Sequence, residues 1–348
     1  MKQLMAELNL ANALAESGAP AMAALVLAHD RILAQGVAGL RQQGQPEPLR
    51  LTDPIHIGSN AKAMTATLVA SLIHSGQLSW DSKPVDLLPQ LAGQFHPALA
   101  EITLEQLLRH TAGLAPFTEE EEIKGLPEFT GTPRQQRLAF SRWLLAREPH
   151  LEPDTAFSYS NAGYAVVAAS LEAHLDEAWD ILLHQHLFAP LGITAGIGWP
   201  GLHGQEAPWG HMAATDEAPL EPVDPVHHEY RLPAILAPAG DIHLSLPDYG
   251  KFLQMNLRAL QGRDTILPAA AIRYLHEPAQ GIGLGWGVQQ FLGHTASVHA
   301  GGAGTFIIVG FVLHDQDLAA AVVANAGTDR AERAVVNQLK SILQTFSS

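Results

Sequence analysis

Ile57-Gly58-Ser59-Asn60-Ala61-Lys62-Ala63-Met64 opens a long helical run and carries the only Ser-x-x-Lys spacing in the chain. From Ser59 to Ser75 there is neither Pro nor Gly, and Gly76 supplies a stop. Apolar residues cover nearly all faces of this run, which predicts a buried helix. Ser59 then stands at its N-terminus with Lys62 one turn later on the same face, about 5–6 Å away at Cβ. A serine hydroxyl is a poor nucleophile until a base takes its proton. A lysine in a dry pocket loses its preference for the charged form and can be that base. The free N–H groups of the helix start favour negative charge on the attacking oxygen. As a plain N-cap and a surface lysine, the pair would explain nothing; a charge inside an apolar helix is costly unless used.

The chain has 348 residues, 47% hydrophobic and 16% charged, which fits one large or two intimately joined globular domains. A formal net charge of −15 argues against nucleic acid and anionic membranes as partners. There is no Cys, so disulfides, thiolate chemistry and Cys-type zinc sites are excluded. No run of about 18 or more apolar residues predicts a membrane span. Residues 1–19 mix Leu and Ala with charged and amide side chains. They read as an amphipathic helix, not a secretion signal. The expected location is cytoplasmic, or exported with a leader removed.

Around the Ser-x-x-Lys run, residues 21–28 and 31–39 read as a β-hairpin turning at His29-Asp30. Residues 103–108 form a helix with a Thr103/Gln106 capping box, and 134–148, 162–175 and 179–187 read as further helices. The acidic run 119–122 is a solvated face. Residues 196–240, rich in Gly, Pro, His and Trp, are too long for an ordinary connector and are assigned to a cleft wall. Residues 247–257 are helical. Residues 295–299, 305–313 and 318–324 are strands, and Thr328 or Asp329 caps a closing helix. Strands at both ends with helices between predict a single, mostly antiparallel sheet. Residues 1–78 and 241–348 would form an α/β sandwich, and 79–240 a mainly helical insertion.

Two further polar clusters interrupt this pattern. Tyr159-Ser160-Asn161 leads into a helix and sets a phenol and an amide on one side of a turn. A cation nearby can stabilise the phenolate, which could then accept the serine proton. Asn161 could meet an acyl carbonyl or hold Lys62. A helix cap with a half-buried aromatic is the plainer reading. His299-Ala300-Gly301-Gly302 is the other cluster. Glycines within a strand mark close backbone approach. The N–H groups of Gly302 and Ser59 could form an oxyanion hole, with His299 orienting the tyrosine or meeting substrate.

In this order, Ser59/Lys62, Tyr159/Asn161 and His299/Gly301 resemble the three motifs of the serine β-lactamase and penicillin-binding-protein superfamily. The class C β-lactamase branch, with its DD-peptidases, D-aminopeptidases and family VIII carboxylesterases, is the most similar. The flanks are similar too: Ile102 to Leu114, Phe157 to Tyr164, Ala237 to Gly240 and Gly283 to Gly287. The resemblance runs over residues 20–347. It implies an α+β fold of the β-lactamase/DD-peptidase type, an antiparallel sheet flanked by helices plus a helical domain. It implies Ser59 as acyl acceptor, Lys62 and Tyr159 as bases, Asn161, His299, Gly301 and Gly302 as substrate-binding groups, and no metal or organic cofactor.

Two positions depart from the pattern. Ala61 stands where many relatives carry Thr. The third motif begins with His299, not Lys; a permanent cation suits a substrate carboxylate, a neutral imidazole suits it less. The expected activity is therefore a carboxylesterase on short acyl esters. The alternatives are a D-Ala peptidase, D-aminopeptidase or transpeptidase-like enzyme on an amide or peptide, a weak β-lactamase, or a non-catalytic binding protein on the same scaffold. A metallohydrolase using His184, His186, His203, His211, His227 or His228 matches no metal-binding spacing.

Overall fold

Every residue of Ala21–Leu27, Ile307–Leu313 and Ala319–Ala324 is buried. A strand covered on both faces has no polar side to alternate with, and this produces the unbroken apolar runs in the sequence. The computed structural model describes residues 5–202, 206–215, 218–228 and 231–347. In chain order its strands are β1 (Ala6–Glu7), β2 (Ala21–Leu27), β3 (Ile32–Gly39), β4 (Pro54–His56), β5 (Ala195–Ile197), β6 (Gly210–Met212), β7 (Glu221–Val223), β8 (Ile242–Ser245), β9 (Gly287–Phe291), β10 (His294–Gly302), β11 (Ile307–Leu313) and β12 (Ala319–Ala324).

The main sheet has seven strands in the order β1-β3-β2-β12-β11-β10-β9. All neighbours are antiparallel except β1 and β3. The two ends of the chain meet at β2 and β12, where Ala24 lies opposite Val322. Alternation along β2 divides the core. Ala21, Ala23, Leu25 and Leu27 face the larger apolar cluster, which includes the helix Leu246–Leu260. Met22, Ala24 and Val26 face the closing helix Asp329–Phe346 through Val335, Leu339 and Ile342. Thr328 caps that helix, accepting from Ala331 N–H at 3.2 Å.

The middle of the chain is helical as expected. Leu104–Leu108 carries the Thr103/Gln106 capping box, followed by Pro133–Leu145, Asn161–Leu175 and Trp179–Leu183. The acidic run lies at the surface and starts the short helix Glu120–Lys124. No helix among the described residues is long and apolar enough to cross a membrane.

Three expectations need correction. The N-terminal amphipathic helix is confined to Ala11–Ser17, and Ala6–Glu7 adds a parallel edge strand to β3 instead; residues 1–4 lie outside the described residues. The sheet is not single: β4-β8-β5 and β6-β7 form two small further sheets. The helix from Trp179 keeps α geometry only to Leu183 and widens into a π turn at His184–Phe188.

Candidate active site

Ser59 sits in a 3-10 turn, Gly58–Asn60, that runs directly into the helix Ala61–His74. The turn rests against Gly301 and Gly302 of β10 through the backbone of Ile57 and Gly58 and the Asn60 side chain. Gly58 has φ +50°, and a Cβ there would lie 2.6 Å from Gly302 N; one on Gly301 would lie 2.0 Å from Ile57 O. Only glycine permits both approaches. Asn60 locks the turn, donating to Ile57 O at 3.0 Å and accepting from the Tyr249 hydroxyl.

Lys62 is fully buried. Its Nζ lies 3.1 Å from Ser59 Oγ, 2.7 Å from Asn161 Oδ1 and 2.8 Å from Ala239 O. None of these partners is charged, and burial holds the ammonium well below the usual lysine value. Asn161 Nδ2 donates to Phe117 O at 2.8 Å, so Oδ1 faces the lysine as an acceptor. Ala239 O can only accept. A neutral amine has two protons for these two acceptors, and its lone pair is then left for the Ser59 hydroxyl.

The Tyr159 ring lies beneath the amine, with Nζ 4.7 Å from the ring centroid. Burial pushes its phenol up to about 12, while the Ser59 side chain pulls it down. His110 stacks on Tyr159 at 4.5 Å and 30°. Its Nδ1 accepts from Ser160 N–H at 3.0 Å, and burial, then Lys62 and His299, keeps this ring neutral. His110 and Phe117 both have positive φ, 62° and 49°. Two non-glycine residues in this strained region thus brace the Tyr159–Asn161 segment from either side.

His299 projects from β10 beyond the last residue paired with β9, Val298. Its Nδ1 is 2.7 Å from Gly285 O. A carbonyl only accepts, so Nδ1 carries the proton and Nε2 the lone pair. Burial and the nearby Lys62 push its pKa down to about 4. Tyr159, His110 and His299 line a cavity of about 250 Å³ with Phe157, Ile282, Trp286 and Val298. A second cavity, of about 370 Å³, is bounded by Trp179, Trp199, Leu232 and Asp241.

The other histidines scatter. His211 is buried, accepting from Gln43 N–H and bonded to Asn325 O; His186 meets Ser71, and His227 meets Asp224 at the surface. His203 lies outside the described residues. Among the described residues no three His, Cys, Asp or Glu gather as a metal site would require.

The beta-lactamase family model matches residues 3–343. The chain belongs to the beta-lactamase family. Members of this family are serine hydrolases acting on acyl or amide groups of small substrates. The chain is 27% identical over 323 residues to penicillin-binding protein 4 of Amycolatopsis lactamdurans, covering 88% of this chain and 81% of that protein. In fold it is similar to the octameric penicillin-binding protein homologue from Pyrococcus abyssi, with a TM-score of 0.78 at 18% identity, over 96% of this chain and 76% of that one. It is also similar to a D-stereospecific amidohydrolase from Streptomyces sp., with a TM-score of 0.73 at 23% identity, over 94% and 95%.

Within this beta-lactamase-family fold, Ser59, Lys62, Tyr159 and Asn161 meet around one amine, and Gly301 and Gly302 lie against the serine turn. His299 lines the adjoining cavity. Sequence reasoning assigned no role to His110, to the carbonyls of Ala239 and Gly285, or to Asn60. His110 lies within the stretch Ile102 to Leu114 that resembles the family. A main-chain carbonyl leaves no trace in a sequence.

Proposed function

We propose that the chain is a carboxylesterase acting on short acyl esters through an acyl-enzyme on Ser59. The observation that carries this reading is the Lys62 hydrogen-bond set, in which two partners that can only accept leave the amine lone pair to Ser59. Lys62 takes the Ser59 proton as Oγ attacks the ester carbonyl carbon. The N–H groups of Ser59 and Gly302 receive the developing oxyanion. The C–O bond then breaks; the departing alkoxide collects the Tyr159 phenolic proton, and the proton on Lys62 replaces it. Water repeats the sequence on the acyl group and frees Ser59.

The lone pair on His299 Nε2 supports esters over substrates bearing a carboxylate, because it offers an acceptor where a carboxylate needs a donor. The apolar walls Phe157, Ile282, Trp286 and Val298 suit a small uncharged group. A second reading, a D-amino-acid peptidase, draws on one feature: the pairing of β10 with β9 stops at Val298, so residues 299–302 have no strand partner on that side among the described residues, and an extended peptide could pair there. We also read 1–78 with 241–348 as one unit and 79–240 as an inserted one, with 196–240 as a cleft wall. The β2–β12 pairing and the contact of Ala239 with Lys62 support this.

A panel of p-nitrophenyl butyrate, a chromogenic cephalosporin and a D-Ala-terminated peptide tests the substrate class. The ester should give the highest kcat/KM; a higher value for the peptide or the cephalosporin overturns the esterase reading.

A further inference from the structure

His56 and Asp241 form a buried pair directly behind the serine turn, and no step above uses them. His56 ends β4 and its side chain is fully buried; the Asp241 side chain is 11% exposed. His56 Nε2 lies 3.0 Å from Asp241 Oδ1. On the other side of the ring, Gly58 N–H donates to His56 Nδ1 at 3.3 Å. A backbone N–H can only donate, so Nδ1 holds the lone pair and the ring proton is on Nε2, aimed at the carboxylate. Both ends of the imidazole are thereby assigned, although the two residues are 185 positions apart.

The residue so held is Gly58, which precedes Ser59 and has φ +50° with no room for a Cβ. Asp241 also follows directly on the turn Ala237–Gly240, whose Ala239 O accepts from Lys62 and whose Pro238 O accepts from Thr65. One short segment thus grips the lysine through a carbonyl and the serine turn through a carboxylate and an imidazole. We infer that Asp241 and His56 are positioning residues for Ser59, setting the peptide that carries its N–H and Oγ relative to the Lys62 amine. This rests on Ser59 being the nucleophile. Misplacing a reacting group by about 1 Å can lower a rate by about 100-fold, so the pair acts on the chemical step more than on substrate capture.

The test compares Asp241→Ala with Asp241→Asn, whose amide oxygen can still accept from His56 Nε2–H. Asp241→Ala should lower kcat on p-nitrophenyl butyrate by about 10- to 100-fold, with KM within about twofold. Asp241→Asn should restore kcat to within a few fold. A wild-type kcat in Asp241→Ala, or an equal loss in both variants, overturns the inference. Should Asp241→Ala fail to fold, the ring-nitrogen NMR shifts of His56 in the wild-type protein decide: Nδ1 unprotonated supports the inference, and Nδ1 protonated overturns it. Fluorophosphonate labelling separates the two levels. Label on wild-type Ser59 at a rate that Asp241→Ala does not slow defeats the positioning role alone; no label on wild-type Ser59 takes the nucleophile assignment with it.

Discussion

Asn161 Oδ1 accepts from Lys62 Nζ at 2.7 Å, across 99 positions of sequence, and it is a neutral partner. Neutrality matters because a carboxylate in that place would stabilise the ammonium and remove the base. The depressed Lys62 pKa sets the expected pH profile. The active form is the free amine, so kcat/KM should rise with pH through a midpoint below 10.5 and then level off. His299, down at about 4, stays neutral above about pH 5 and should add no second acid limb there; Tyr159, up at about 12, stays a phenol through about pH 9. Asn161→Asp should shift the midpoint upward and lower the rate at neutral pH. A pH–rate profile of both proteins checks this, and an unmoved midpoint would remove Lys62 from the role of base.

Tyr159 is kept protonated by its surroundings, which fits a proton donor to the leaving group better than the base expected from sequence. Tyr159→Phe should then discriminate between leaving groups. Loss should be about 10²–10⁴-fold on an alkyl butyrate, whose alkoxide needs a proton, and about tenfold or less on p-nitrophenyl butyrate, whose phenolate does not. Equal losses on the two esters would show that the phenol acts at the attack step instead.

His299 spends its only proton on Gly285 O. His299→Lys places a cation at the end of the cavity and gives up that bond. Activity on an ester whose acyl chain ends in a carboxylate should rise relative to butyrate by about tenfold, a charge-assisted hydrogen bond being worth about 1.5–3 kcal/mol. Relative kcat/KM for the two esters measures it. No gain on the acidic ester would mean that position 299 does not face the substrate.

Much of the fold was legible because the chain states it locally. The continuous apolar runs of β2, β11 and β12 announced strands, which the fold buries on both faces, and Thr103 with Gln106 announced a helix start. The candidate site was legible where polar residues interrupt apolar surroundings: Lys62 in its helix, Tyr159 and Asn161 at the start of theirs, His299 ahead of two glycines. What escaped was set by distant contact. The two-residue strand Ala6–Glu7 exists only through its pairing with Ala34 and Gln35, and nothing in its own residues opposes a helix. Ala239 and Gly285 act through carbonyls, which every residue has. His56 and Asp241 look ordinary until the fold joins them.

The most direct test is to quench the protein during turnover of p-nitrophenyl butyrate and map the acyl group by peptide mass spectrometry, alongside Ser59→Ala. Ser59→Ala deletes one oxygen and should fold normally with no turnover. The predicted result is a butyryl group on the peptide bearing Ser59, absent from the variant. Butyryl carried on another residue, or turnover retained by Ser59→Ala, would contradict the mechanism.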